Sequence, residues 1–533
     1  MAILAGKLVL QLALLKAGFF VVSGDDYLRA LIAEEWANDP FFVPNDFGRA
    51  SILWLPAPFW FSGIFHALIG DVWLAPIIAN LIFGLGGVAA IYVLTQRLSG
   101  ATEAALAAIF VAILPWHSWM SLSALADPPY QVGVITAMIA LIVWEKSKRA
   151  NHRWLFGSAG ALFFACMCRP EAWLFASAFA AYYALLFLRV KQLRMVLAVA
   201  AIIPFLFVFY WLIHNYQLHG NPTEFVDEAR SSMSRETEKG DSIFGRIALF
   251  PILLVLVSPI LTIISCYWTA KRLYKRELCP SPLLVYIGIV ALAFLLLIGG
   301  FAAGMGTNTT PQRFVVIFAM LLIPVATSAL LKHRKRVLTL GVFGIAVLWS
   351  LLGVFRFPDD FRAEAELGRA VRSLIQEGDI VLTEDNFLAS HQISPPNMFE
   401  RIRSQCRDWA VKAMSNQPAA FPLNVREDCV WNAETVTEKS RSALERGDVR
   451  IILARKTQTL DLLPDNFVYE SSAGGYGIFV KSEGLVGVNS NPVPIEDKPK
   501  LGSFEIDNAI FAKFVDINWS VQTKSSQSIK LVF

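Results

Sequence analysis

Long apolar segments recur along the first two thirds of the chain and alternate with short polar loops. A helix needs about 20 mostly apolar residues to cross a hydrocarbon core of roughly 30 Å. Eleven apolar segments, most of them close to this length, predict a mainly α, polytopic membrane helical bundle. The predicted spans are residues 3–22, 73–95, 101–120, 129–145, 154–168, 170–188, 195–214, 246–268, 282–301, 313–331 and 337–355.

Lysines and arginines alternate between successive loops, which predicts the orientation of the bundle. The loops at 121–128 and 302–312 contain neither residue type. Because basic loops stay in the cytoplasm, the N-terminus is predicted inside and the C-terminus outside. Basic clusters also flank both ends of 154–188, which favours two short spans that turn at Arg169 over one long helix. The predicted inner loops carry Arg97; Lys146, Lys148, Arg149 and Arg153; Arg189, Lys191 and Arg194; Lys271, Arg272, Lys275 and Arg276; and Lys332, Arg334, Lys335 and Arg336.

Composition agrees with a membrane protein and excludes an ordinary soluble one. Of the 533 residues, 55% are hydrophobic and only 17% are charged, with a mean hydropathy of +0.50. The net charge of +4 does not indicate nucleic acid binding, since most cations lie in the inner loops. The first apolar segment lacks a clear cleavage site, so no cleavable signal is expected. Short loops and few glycosylation sequons favour a bacterial plasma (inner) membrane.

The pattern changes after residue 358, where the chain has the composition of a globular domain. An amphipathic helix is predicted at 363–376, strands at 379–384 and 449–455, and a hairpin at 466–481. The sequence therefore predicts three regions. They are a transmembrane domain over 1–357 with a first outer loop at 23–72, an extracytoplasmic α/β domain over 358–484, and a C-terminal tail over 485–533.

Polar motifs interrupt the apolar pattern at four helix ends, all on the predicted outer face. Carboxylates at a membrane rim are costly to desolvate and usually mark a functional site. A combination of acids and arginines suits a reaction in which an acid takes a proton from an acceptor while an arginine binds an anionic phosphate. Each motif also has a simpler explanation without function: the acidic pair as a solvated helix end, Arg169 and Glu171 as a local ion pair, Arg313 as a helix cap, and Asp127 as part of a turn. The motifs are Asp25-Asp26-Tyr27; Asp127 before two prolines; Arg169-Pro170-Glu171; and Pro311-Gln312-Arg313-Phe314.

In order and sidedness, these motifs resemble those of the C-type (GT-C) membrane glycosyltransferases, the superfamily of protein O-mannosyltransferases and lipid A aminoarabinose transferases. The resemblance covers about residues 1–355. It includes the acidic pair after the first span and a long first outer loop, in which the aromatic segment 51–70 suits an interfacial helix. The family commonly has Asp-Glu where this chain has Asp25-Asp26, so which carboxylate is the base stays open.

The resemblance implies a membrane glycosyltransferase with a polyprenyl-phosphate-linked sugar donor. The acceptor would be a lipid, glycan or protein on the outer face, and transfer would invert the anomeric carbon. By the family match, Asp25 is expected to be the general base, with Asp26 orienting the acceptor or tuning its neighbour. Arg169 and Arg313 are expected to hold the donor phosphate.

Three further residues have less specific implied roles. Asp127 and Glu171 are expected to bind the acceptor, brace the arginines or help hold a divalent cation, and Tyr27 belongs to the same group. No cofactor is certain, and no spacing in the sequence demands a metal ion.

A transporter or flippase of lipid-linked saccharides is the alternative function. Transporters place charged residues near the bilayer midplane, on helices that are broken there, and often have repeated halves. Here the predicted helix interiors are nearly free of charge and the polar groups lie at one rim. This distribution favours surface chemistry over passage across the membrane.

Overall fold

The computed structural model describes the helical region nearly throughout and part of the C-terminal region. Described are residues 1–356 except 20–21, 24, 43–53, 72, 228–229, 231–242, 276–281, 305–310 and 333–335, and then residue 374 and four strands between 380 and 481. Within these ranges the helices are α1 (Ala2–Lys16), α2 (Asp25–Asn38), α3 (Ala57–Ile69), α4 (Leu74–Leu98), α5 (Ala101–Ile113), α6 (Pro115–Met120), α7 (Asp127–Lys146), α8 (His152–Cys168), α9 (Glu171–Arg189), α10 (Arg194–His219), α11 (Ile243–Val257), α12 (Pro259–Tyr274), α13 (Pro282–Ala302), α14 (Gln312–Lys332) and α15 (Arg336–Val354).

Every one of the eleven predicted spans contains helix, but fewer helices have the length of a membrane crossing. Among the described residues six helices are long and apolar enough, and a bent pair would make a seventh. The chain is thus a multi-pass membrane protein, while the predicted count of eleven is not reached by length and composition. The six are Leu74–Leu98, Asp127–Lys146, Glu171–Arg189, Lys191–His219, Pro282–Ala302 and Gln312–Leu331.

Two predicted spans are broken and not single helices. The span predicted at 246–268 consists of α11 and α12, which meet at 112° around Ser258. Pro259 begins α12 as its first residue, where its missing N–H leaves no helical hydrogen bond unmade. The span predicted at 101–120 ends its first helix before Leu114, which is extended (φ −63°, ψ 120°) because Pro115 follows it.

The centre of the bundle is formed by α7 and α14. Within each, 78% of the most apolar stretch is buried, compared with 28–39% in the other four long helices. Both central helices carry a residue of the predicted site in their first turn. Asp127 is the first residue of α7, and Arg313 is the second residue of α14. The most enclosed parts of the protein therefore hold two of these side chains in place.

The first outer loop contains two helices, α2 and α3, which pack against each other. The predicted interfacial segment 51–70 is helical over Ala57–Ile69 and ends at Gly70 in a left-handed conformation (φ 75°). The contact is close at Gly63. A Cβ atom there would lie 2.4 Å from a ring carbon of Trp36 and 2.8 Å from the carbonyl oxygen of Ala33. Gly63 thus allows α3 to approach the helix that carries the acidic pair.

Replacement of Gly63 with alanine is expected to destabilise the protein by about 1–3 kcal/mol, because an overpacked contact forces the backbones apart. The measurement is thermal unfolding in detergent. Gly157→Ala is the control, since nothing lies within 4 Å of the added Cβ atom on α8. Equal unfolding temperatures for the two variants would contradict the proposed close contact.

The C-terminal region contains a four-stranded sheet of order β1-β2-β4-β3. β1 (Ile380–Thr383) runs parallel to β2 (Val449–Ala454), and β4 (Tyr476–Lys481) pairs antiparallel with both β2 and β3 (Phe467–Ala473). All four strands lie where the sequence predicts them. The helix predicted at 363–376 lies outside the described residues, apart from residue 374, so an α/β domain and its boundaries stay predictions.

Candidate active site

Asp26 ties together the segments that border the site. Its Oδ2 atom accepts hydrogen bonds from the backbone N–H groups of Val22 (2.9 Å) and Ser23 (3.1 Å), and its Oδ1 atom accepts one from Ala124 (2.8 Å). The residue is only 2% exposed. Burial raises the pKa of Asp26 to about 6, aided by the charge of Asp25 and opposed by these three N–H donors. Asp26 therefore uses both carboxylate oxygens to hold the end of the first segment and the turn before α7 together.

Asp25, the other half of the acidic pair, remains accessible. Its side chain is 33% exposed, and its Oδ2 atom accepts a hydrogen bond of 3.4 Å from Nη1 of Arg313. The Nε atom of Arg313 is buried and has no partner among the described residues. The two neighbouring aspartates therefore differ in environment, and Asp25 is the one with a carboxylate open to a ligand.

Arg169 is held by two carboxylates at the turn between α8 and α9. Its Nη1 atom donates to Oδ2 of Asp127 at 2.5 Å, and its Nε and Nη2 atoms donate to both oxygens of Glu171 at 2.8 and 2.9 Å. All three side chains are buried or nearly so. Burial acts to lower the pKa of Arg169, but the two carboxylates overcome it and hold the pKa above its usual value. We refer to these three residues as the ion triad.

Phe314 connects the ion triad to the Asp25–Arg313 pair. Its ring centroid lies 5.2 Å from Cζ of Arg169 and 5.4 Å from Cζ of Arg313. A guanidinium over an aromatic face gains about 0.5–2 kcal/mol, depending on its exposure to solvent. One ring at the start of α14 therefore helps to position both arginines, and the two groups form one site.

Arg29 is a third arginine at the site, which sequence reasoning missed. It is 7% exposed, and its Cζ atom lies 4.3 Å from the centroid of Trp54. Its charge interacts with those of Asp25, Arg313, Arg169 and Asp127. Burial lowers the pKa of Arg29 to about 10, so the side chain stays cationic at neutral pH. The spacing in the sequence could have identified it, because a residue four positions after Asp25 lies on the same face of a helix as Asp25.

Asn80 supports the turn that leads into α7, and sequence reasoning missed it as well. Its Nδ2 atom donates to the backbone carbonyls of Ser123 (2.5 Å) and Leu125 (2.8 Å), although Asn80 lies within the apolar helix α4. The same turn carries the Ala124 N–H group that binds Asp26. The sequence could have indicated Asn80, because a single polar residue inside an apolar span is unfavourable unless it forms hydrogen bonds.

Six of the seven predicted site residues come together at one end of the bundle. They are Asp25, Asp26, Asp127, Arg169, Glu171 and Arg313. Tyr27 lies on α2, and its side chain is outside what the structure describes.

The acidic residues of the site do not fit a divalent cation. No group of three His, Cys, Asp or Glu residues with suitable positions occurs in the described part of the chain. Asp25 faces Arg313, and Asp127 and Glu171 face Arg169, so each of these carboxylates already contacts a guanidinium. We therefore derive no step through a metal.

A family model described as dolichyl-phosphate-mannose-protein mannosyltransferase matches residues 55–214, which is less than a third of the chain. This segment runs from the residues just before α3 into the C-terminal part of α10 and includes Asp127 and the Arg169 turn. Among curated proteins, no sequence relative matches the chain.

Two solved structures of ArnT share the fold over most of the chain. ArnT from Cupriavidus metallidurans bound to undecaprenyl phosphate has a TM-score of 0.62 at 12% identity, covering 91% of this chain and 98% of its own. Its apo state has a TM-score of 0.58 at 12% identity, with coverages of 89% and 98%. Archaeal oligosaccharyltransferase AglB from Archaeoglobus fulgidus, with an inhibitory peptide and a dolichol-phosphate, has a TM-score of 0.48 at 13% identity and coverages of 92% and 75%. The two ArnT matches confirm the GT-C fold recognised in the sequence.

Proposed function

We propose that this chain is an integral-membrane glycosyltransferase that moves a sugar from a polyprenyl-phosphate donor to a lipid, glycan or protein acceptor. The observation that carries the proposal is the partly exposed Asp25 carboxylate, 3.4 Å from the guanidinium of Arg313. A proton acceptor and an anion-binding group thus lie side by side, as transfer from a phosphate-linked sugar requires. The fold shared with ArnT, which was bound to undecaprenyl phosphate, supports this donor class.

The reaction step assigns one role to each of these two groups. An acceptor hydroxyl attacks the anomeric carbon, and Asp25 takes its proton. The bond between the anomeric carbon and the phosphate oxygen breaks on the opposite side, which inverts the configuration. Polyprenyl phosphate leaves as a monoester held by Arg313. A phosphate oxygen is a weakly basic leaving group, so no general acid is needed.

The contacts favour Arg313 over Arg169 as the phosphate ligand. Arg169 is already bound to two carboxylates by three short hydrogen bonds. Arg313 has one long contact, to a carboxylate that is itself open to solvent. A phosphate that displaces this contact frees Asp25 for the acceptor. Arg169 would then act by fixing Asp127, Glu171 and Phe314 in place, with Asp26 fixing the entry to α2.

We place the reaction on the extracytoplasmic side of a bacterial plasma membrane. The basic loops that predict the orientation lie at the opposite helix ends from the site residues. A polyprenyl donor would enter from the lipid, with its phosphate at the interface.

The test is turnover in detergent. Purified protein is incubated with a panel of labelled undecaprenyl-phosphate hexoses and pentoses and a membrane lipid and glycan extract as acceptor. We expect release of undecaprenyl phosphate together with labelled product for at least one donor. Movement of the donor in sealed vesicles, without turnover in detergent, would instead establish a flippase.

A further inference from the structure

Arg29 is the one site arginine that lacks an anionic partner within the described part of the chain. Arg169 contacts Asp127 and Glu171, and Arg313 contacts Asp25. The guanidinium of Arg29 instead stacks on Trp54, at 4.3 Å, and lies 5.9 Å from the ring centroid of Phe59. Its Nε atom is buried without a hydrogen-bond partner.

A buried cation without a counter-ion is unfavourable, and the aromatic faces compensate only part of the lost hydration. Asp26 lies one turn away but directs both oxygens to backbone N–H groups. The charges that act on Arg29 are those of two acids, Asp25 and Asp127, and of two further cations, Arg313 and Arg169. Within the described residues no carboxylate forms an ion pair with the Arg29 guanidinium, and this condition suits an anionic ligand.

The proposed transfer creates a negative charge at Arg313, a residue whose charge acts on Arg29. The donor is a phosphodiester with one negative charge. Breaking its bond to the sugar moves that electron pair onto the phosphate oxygen, so the product is a monoester with two negative charges near neutral pH. One guanidinium can pair with the first charge, while a second is required by the charge that develops during transfer.

We infer that Arg29 binds the leaving phosphate together with Arg313 and recognises the charge gained on release of the sugar. This inference rests on the proposed function. Arg313 holds the phosphate in both states, while Arg29 contributes more to the monoester than to the diester. The site therefore distinguishes a polyprenyl phosphate from a polyprenyl phosphodiester, which makes Arg29 a residue of the transition state and of product binding.

Binding of two synthetic lipids tests the inference without any turnover. The probes are undecaprenyl phosphate and its methyl ester, which share the prenyl chain and differ in one phosphate charge. Affinity is measured by thermal stabilisation and calorimetry in detergent. We expect the wild type to bind the monoester at least about tenfold more tightly, as a charge-assisted contact predicts. Arg29→Gln should reduce this preference to about threefold or less, mainly by weakening monoester binding.

Three further variants serve as comparisons for Arg29→Gln. Arg313→Gln should weaken the binding of both lipids. Arg153→Gln should change neither, because Arg153 is an exposed residue in the first turn of α8, at the helix end opposite Arg169. Arg29→Lys should retain part of the preference, because it keeps the charge but loses the planar fork. If Arg29→Gln fails to fold, Arg29→Met replaces it as the neutral variant, and a preference equal to the wild type in Arg29→Met overturns the inference.

The outcomes separate this inference from the proposed function. An unchanged preference in Arg29→Gln, or no preference in the wild type, overturns the role of Arg29 whether or not transfer occurs. A lost preference in Arg29→Gln without turnover of any donor sustains the phosphate site and overturns the transferase. With an active enzyme, Arg29→Gln should lower kcat more than it raises KM for the donor, which a merely structural role would not do.

Discussion

Replacement of Asp25 with asparagine will lower the rate of sugar transfer by about 10²–10⁴-fold, the usual contribution of a general base. The amide keeps the size of the side chain and can still accept a hydrogen bond from Arg313, but it cannot take the proton of the acceptor. Stability should change little, because the Asp25–Arg313 contact is long and one-third exposed on the acid side. The measurement is kcat for release of undecaprenyl phosphate in detergent.

Asp39→Asn is the matched control for this variant. Asp39 lies beyond the end of α2 and is exposed, so the same chemical change there should leave transfer at the wild-type rate. If Asp25→Asn retains more than about a tenth of the activity while Asp39→Asn is unaffected, Asp25 is not the base, and Asp26 becomes the next candidate.

Replacement of Arg169 with glutamine is expected to lower the free energy of unfolding by about 3–5 kcal/mol. The reason is that Asp127 and Glu171 would stay buried without their cation, and breaking a buried ion pair from one side leaves an uncompensated charge. The side chains of Arg169 and Asp127 are only 8% and 1% exposed, so water cannot replace the lost contacts. Unfolding in detergent, followed by temperature or denaturant, measures the change.

The double variant Arg169→Gln/Glu171→Gln should recover part of the loss, because one of the two unpaired charges is removed. Arg189→Gln serves as control, since Arg189 is exposed at the end of α9. A variant Arg169→Gln as stable as Arg189→Gln would show that the ion triad does not hold the turn between α8 and α9. In that case Arg169 would again be a candidate ligand of the donor phosphate.

The helical segments could be predicted from the sequence because burial in lipid requires long apolar runs. The two broken spans could not, although both contain proline at the break. Pro204, Pro251 and Pro324 lie inside helices that continue through them, so a proline alone does not specify a break. Whether neighbouring helices satisfy the freed backbone groups decides the outcome, and this depends on tertiary packing.

The position of the site was predictable for a different reason. Polar motifs at the same rim of successive spans must face the same compartment, so their sidedness follows from topology alone. Their pairing does not. Arg313 reaches Asp25 across 288 positions and Arg169 reaches Asp127 across 42, and no local pattern encodes these contacts. For the same reason Asp26, adjacent to Asp25 in sequence, proved to be the anchored member of the pair.

The contact between Asp25 and Arg313 has a consequence for biosynthesis. A ribosome delivers the two partners at opposite ends of the helical region, and loop closure over such a separation is slow. During most of translation Asp25 therefore has no guanidinium from α14 beside it. The proposed base and the proposed phosphate ligand therefore come together only when α14 has joined the bundle, so a partly inserted chain has one without the other.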